Sequence, residues 1–176
     1  MIHKTPTPVA TAERAALRSG FDAVRAATER LCQPLVTEDY TLQSMPDASP
    51  TRWHLAHTTW FFETFLLKAV APHRRPAHPA YEHLFNSYYN AVGAPYPRPR
   101  RGLLSRPTVA EVFTYRRQID AEVRAWLERA AEPEIAAWEP VVTLGLQHEQ
   151  QHQELILTDL KHAFSFNPLR PAYRTD

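Results

Sequence analysis

The prolines set the frame. Sixteen of them stand against only four glycines in 176 residues, and they gather between long apolar-periodic stretches that hold almost none of either. Proline removes a backbone donor and clashes inside a helix, so clusters of it punctuate helices rather than strands. The stretches between them repeat apolar residues at helical spacing, and strand-like alternation is weak throughout. The chain therefore reads as all-α.

Five helices follow from this punctuation. The first runs from about Thr11 to Leu31, with Leu17, Phe21, Val24 and Leu31 on one stripe. The second runs from Ser49 to Val70, with Ser49 as N-cap and Pro50 at the first helical position. A short one spans about Ala80 to Val92, and a Pro- and Arg-rich irregular stretch follows from Gly93 to Pro107. The fourth opens on Thr108-Val109-Ala110-Glu111, a capping-box pattern, and continues to about Ala130. The fifth starts at Pro133 or Pro140 and reaches about Phe166, after which Pro168 and Pro171 end the regular structure. Four long helices with one crossover segment carrying a short extra helix predict an up-down four-helix bundle, a fold that builds metal sites from side chains on facing helices.

Composition narrows the functional classes. A length of 176 residues supports one cored domain. A net charge of +1 gives no reason to expect nucleic acid or a membrane surface as the main partner. No apolar run of about 18 residues is present, so no spanning helix is expected. Met1 to Pro6 lacks the apolar core of a signal peptide, and a single cysteine, Cys32, suits a reducing compartment. The expected location is the cytoplasm.

Nine histidines are many for this length, and two of them carry the chemistry. His148 and His152 lie four residues apart on the fifth helix, so their imidazoles project the same way and can meet one metal ion. At 100° per residue, Leu144, His148, Gln151, His152, Leu155 and Asp159 share about a quarter-turn, and the apolar members predict that this face points inward. The competing reading is a pair of core histidines satisfied by hydrogen bonds. His148-Glu149-Gln150-Gln151-His152 also matches H-E-x-x-H, the zinc-peptidase pattern in which Glu149 would be the general base. The extension of that pattern fails, because Leu155 and Thr158 stand where a glycine and a third histidine belong. Glu154 points elsewhere and is not counted as a ligand. A third ligand can come from the second helix, where His57 lies in the middle of an aromatic stripe of Trp53, Trp60 and Phe61 and His54 lies at its edge. Geometry prefers His57 over His54 without deciding between them. Three neutral imidazoles would leave coordination positions open, and imidazole suits iron, zinc and nickel alike.

Several motifs in order then resemble one family. Ser49-Pro50 with Trp53-His54-Leu55-Ala56-His57, Phe85-Asn86-Ser87-Tyr88-Tyr89, Arg101-Gly102-Leu103-Leu104-Ser105-Arg106-Pro107, His148 to Glu154, and Asn167-Pro168-Leu169-Arg170-Pro171-Ala172-Tyr173 resemble the ergothioneine-biosynthesis sulfoxide synthases, the EgtB family, over their N-terminal DinB-like four-helix domain. The resemblance implies a non-haem Fe(II) enzyme that uses O2 to join the sulfur of cysteine or γ-glutamylcysteine to the imidazole of hercynine. It implies His57, His148 and His152 as iron ligands, Gln151 as a residue holding the hercynine carboxylate, and Arg98 and Arg101, in Pro97-Arg98-Pro99-Arg100-Arg101, as binders of the thiol substrate's carboxylates. Guanidinium forks suit carboxylates; taken alone, that stretch reads as a solvated basic loop.

The same resemblance divides the chain into a DinB-like metal-binding domain over residues 1–166 and, over 167–176, the start of a linker to a C-terminal domain like formylglycine-generating enzymes. That domain, or a partner chain in its place, would supply the catalytic tyrosine, and no catalytic residue is assigned within these 176. The alternative is a stand-alone DinB-like thiol transferase using zinc or nickel, and a third reading is a helical interaction module stapled by its metal.

Overall fold

The computed structural model describes residues 8–174; Met1–Thr7, Thr175 and Asp176 lie outside them, and with them the sequence reading of the N-terminus and the last two linker positions. Among the described residues the regular structure is helical throughout. The helices are α1 (Pro8–Cys32), α2 (Thr51–Phe61), α3 (Lys68–Val70), α4 (Tyr81–Phe85), α5 (Val109–Arg129) and α6 (Glu132–Ser165). A π-helical stretch, Phe62–Leu67, joins α2 to α3 in one rod, and 3-10 turns occupy Thr37–Thr41 and Arg98–Leu103.

Four rods pack as a closed ring, α1 against α6, α6 against α2, α2 against α5 and α5 against α1. Ion pairs give their sense. Asp22 meets Arg124, Arg25 meets Asp120 and Glu29 meets Arg116, so α1 and α5 run in opposite directions. Ser49 bonds Asp159 and His57 faces His148, so α2 and α6 also oppose one another. Arg52 meets Pro107 at the start of α2 and α5, and Glu63 meets Tyr115 further along both rods, so α2 and α5 run one way and α1 and α6 the other. The crossover through α4 carries the chain back along the bundle, so that α5 can lie parallel to its neighbour α2.

Local chemistry explains where elements begin and end. Thr108 Oγ1 accepts from the Glu111 backbone N–H at 3.2 Å while the Glu111 carboxylate receives the Thr108 N–H at 2.6 Å, the reciprocal cap expected of that sequence. The second helix starts one residue later than its sequence suggests. Pro50 occupies the N-cap position, and Ser49 turns its hydroxyl to Arg101 and its N–H to Asp159 instead. The short crossover helix stops at Phe85 rather than Val92. Asn86 accepts the Tyr89 N–H and donates to the carbonyls of Tyr89 and Gly93, so its side chain builds a loop in place of further helical turns. The long last helix begins at Glu132, with Pro133 in its first turn and Pro140 kept on the exposed side.

The core is aromatic where α2 meets α6. Phe21 of α1 packs edge-on against Phe62 with centroids 5.1 Å apart, and Phe61 of α2 lies against His148 of α6 at 5.0 Å. Gly145 is what lets the two helices approach there, because a Cβ on it would stand 2.7 Å from two Phe62 ring carbons and 2.9 Å from Phe61 Cε1. No helix among the described residues is long and apolar enough to cross a membrane.

Candidate metal centre

Every residue of α2 is buried, so its histidines cannot be left to water. Trp53 stacks on the His57 ring at 4.5 Å and 14°, and Trp60 flanks the other side at 5.6 Å and 19°. His57 Nδ1 donates to the Phe85 carbonyl at 2.5 Å. A carbonyl only accepts, so His57 carries its proton on Nδ1 and presents a lone pair at Nε2. The last residue of α4 thereby sets the tautomer of a side chain on α2.

Across the groove, α6 brings His148 and His152. Their ring centroids are 4.6 Å apart, as the four-residue spacing predicts. His57, His148 and His152 each offer one nitrogen, and the three atoms lie within 4.8 Å of one another. His57 Nε2 and His148 Nε2 are 3.1 Å apart. Two nitrogens bound at about 2.1 Å to one ion stand roughly 3.0–3.4 Å apart, so this pair already has the separation a shared ion needs. All three rings are buried, and burial is the main reason each imidazole is held below its ordinary range. His148 is lowered to about 4, partly opposed by Glu149, so it is neutral at pH 7. Among the described residues His148 Nδ1 has no hydrogen-bond partner, which leaves this ring the freest of the three to turn toward an ion. Three neutral imidazoles converging on one point fit a metal ion, and the donor set does not select which one.

Other residues singled out by the sequence fall differently. His54 is buried beside the trio but outside it, bonded to His152 and Asp159. The face assigned to the inside of α6 is turned: Leu144 is 55% exposed and Gln151 is exposed, while Gly145, Glu149 and Ile156 point into the bundle. The histidines sit at the border between these faces, with Gln151 on the solvent side. The carboxylate of Glu154 is at an exposed position, away from the trio.

Glu149 is no base beside the metal. It is fully buried and accepts from Arg25 at 2.7 Å, Arg116 at 2.5 Å and Thr28 at 2.6 Å. Burial pushes its carboxyl up, but the fields of Arg25 and Arg116 outweigh that and bring it down to about 2. Arg25 also pairs with Asp120 at 2.6 Å and donates to Thr59 at 3.0 Å, so one ionic hub ties all four long rods together. Arginines spaced along apolar stripes of α1 and α5 were the only trace of it in the sequence.

Arg101 is buried too, at 2% exposure, with its guanidinium 3.4 Å from the Trp53 ring centroid and one Nη on Ser49 Oγ. Burial, then Arg98, lowers it to about 9. Arg98 itself is exposed. Arg101, Trp53, His57 and Trp60 thus form one layered stack running into the metal centre. A neighbouring cavity of 360 Å³, walled by Trp60, Glu63, Arg74 and His78 among others, holds none of the three histidines.

A family model for the DinB superfamily matches residues 20–156. The chain belongs to that superfamily, and the match spans α2, the crossover and both α6 histidines. No curated protein matches the chain.

Proposed function

We propose that this DinB-superfamily chain is the iron-binding part of a hercynine-dependent sulfoxide synthase that uses O2 to join cysteine or γ-glutamylcysteine to the imidazole C2 of hercynine. The reaction balances as thiol plus imidazole C–H plus O2 giving the sulfoxide and water. One observation carries the reading. The motifs that resemble the family, scattered from Ser49 to His152, meet in a single bonded cluster: Ser49 with Arg101, Trp53 with Arg101 and His57, Phe85 with His57, and His57 with His148. Membership of a superfamily that is metal-binding and often enzymatic supports its coarser half.

In this reading His57, His148 and His152 hold the metal, and their neutral state means no proton need be displaced at pH 7. Bound there, iron supplies the redox chemistry that O2-dependent C–S bond formation requires. Gln151, exposed next to His152 on α6, would take the hercynine carboxylate. Arg98, exposed on the 3-10 turn, offers its guanidinium to the thiol substrate's carboxylate; Arg101, expected as a second carboxylate binder, is buried against Trp53 and Ser49 and in this reading orients that turn. The catalytic tyrosine would come from a second domain or partner chain.

The test is O2-dependent turnover of hercynine with each thiol by iron-loaded protein, with and without a supplied formylglycine-generating-enzyme-like domain, read by mass spectrometry of the sulfoxide. Product with either thiol supports the reading. No product in any combination overturns it, and thiol transfer by the zinc- or nickel-loaded chain alone would favour a stand-alone transferase.

A further inference from the structure

His54 lies one turn before His57, is 1% exposed, and offers no nitrogen to the three-histidine cluster. Both its ring nitrogens are engaged. Nε2 is 3.1 Å from Asp159 Oδ2, and Nδ1 is 2.8 Å from Nδ1 of His152. Asp159 Oδ2 also receives the Ser49 backbone N–H at 2.8 Å. Burial pulls the Asp159 carboxyl up, but these two donors more than offset it and keep it below the usual carboxylate range.

The protons along this chain follow from the donors. A carboxylate accepts only, so His54 carries its hydrogen on Nε2. His54 is 1% exposed, and burial disfavours a charged imidazole, so it is neutral and its Nδ1 bears a lone pair. The contact between the two Nδ1 atoms then requires the hydrogen on His152. With Nδ1 protonated, His152 has its lone pair on Nε2. The opposite tautomer would set two lone pairs face to face at 2.8 Å and cover the atom needed for coordination.

We propose that His54 is a positioning residue, and that the Asp159–His54–His152 relay fixes His152 in the Nδ1–H tautomer with Nε2 directed to the metal. The inference rests on His57, His148 and His152 being the ligand set. It assigns a different fixing group to each ligand: a backbone carbonyl for His57, the histidine–carboxylate relay for His152, and none for His148. A carboxylate behind a ligating histidine also raises that ligand's basicity.

Long-range proton–nitrogen NMR of the metal-free, 15N-histidine-labelled protein at pH 7 reads each tautomer directly. His152 is expected as Nδ1–H in the wild type. His54→Leu removes the acceptor and is expected to shift His152 toward Nε2–H and to weaken Co2+ binding about 10–100-fold. His54→Gln, whose amide oxygen can accept from His152 while its NH2 faces Asp159, is expected to restore most of both. A wild-type His152 found as Nε2–H overturns the relay, as does a His54→Gln variant no better than a folded His54→Leu. Unchanged tautomer and cobalt affinity in His54→Leu do so equally. If the wild type binds no cobalt or iron, the metal reading fails, and the tautomer measurement still decides the relay.

Discussion

Replacing Glu149 by Gln should remove the one carboxylate that three donors from two other helices share, and so destabilise the whole bundle. The carboxylate is wholly buried and takes three donors from two other helices at 2.5–2.7 Å. Glutamine keeps the shape but removes the charge and turns an NH2 toward guanidinium groups that can only donate. Breaking a buried pair by removing one partner costs about 3–5 kcal/mol. A separate route gives a similar figure: a carboxyl lowered from 4.5 to about 2 corresponds to about 3 kcal/mol at roughly 1.4 kcal/mol per unit. Arg25 keeps Asp120 and Arg116 keeps Glu29, so the low end, about 3 kcal/mol, is expected. For a domain of this size that is a fall in Tm of roughly 6–12 °C. The assay is urea unfolding followed by circular dichroism, at pH 7 and on acidification. A carboxylate lowered on folding stabilises above its unfolded value and loses that contribution as pH falls through its folded value. The gap between wild type and variant should therefore close between about pH 4.5 and 2. A difference under about 1 kcal/mol at pH 7, or one that does not shrink in acid, would refute the reasoning. Bound metal should survive in the folded variant, which separates this role from that of a metal ligand.

Three further outcomes are expected. His57→Ala, His148→Ala and His152→Ala should each abolish stoichiometric metal by elemental analysis while leaving helicity intact; full occupancy in all three would remove the site. Gly145→Ala should destabilise by about 1–3 kcal/mol in thermal unfolding, because its Cβ would meet the Phe62 ring at 2.7 Å. Thr108→Ala, which loses the α5 cap, should cost about 1 kcal/mol by the same measurement.

Much of the bundle was written in local signals. Proline clusters mark the gaps between helices, Thr108 and Glu111 mark the start of α5, and the four-residue spacing of His148 and His152 marks the ligand pair. The rotational setting of α6 was not. The stripe through Leu144 and Gln151 reads as the buried one because Leu144 and Leu155 are apolar, and the charge of Glu149, one residue from the first histidine, gives no local sign of its burial. Its burial depends on Arg25 and Arg116, 124 and 33 residues away in sequence, and no local pattern reports such a partner. Arg101 was hidden for the same reason: an arginine among prolines suggests solvent, and only the fold lays it on Trp53. Choosing His57 over His54 needed the Phe85 carbonyl and Asp159, both supplied from outside α2.

The ionic hub acts on the ligands as a key acts in a keyway. On α6 the side chain of Glu149 stands about 100° around the axis from His148 and about 60° from His152, and its oxygens lie roughly 5 Å from that axis. Turning the helix by 20° would carry those oxygens nearly 2 Å sideways by this geometry, beyond hydrogen-bond reach of Arg25 and Arg116. Functional constellations tolerate about 10–20° of misorientation. The charges that hold α6 thus index its rotation to about the precision that the neighbouring histidines require, without touching them.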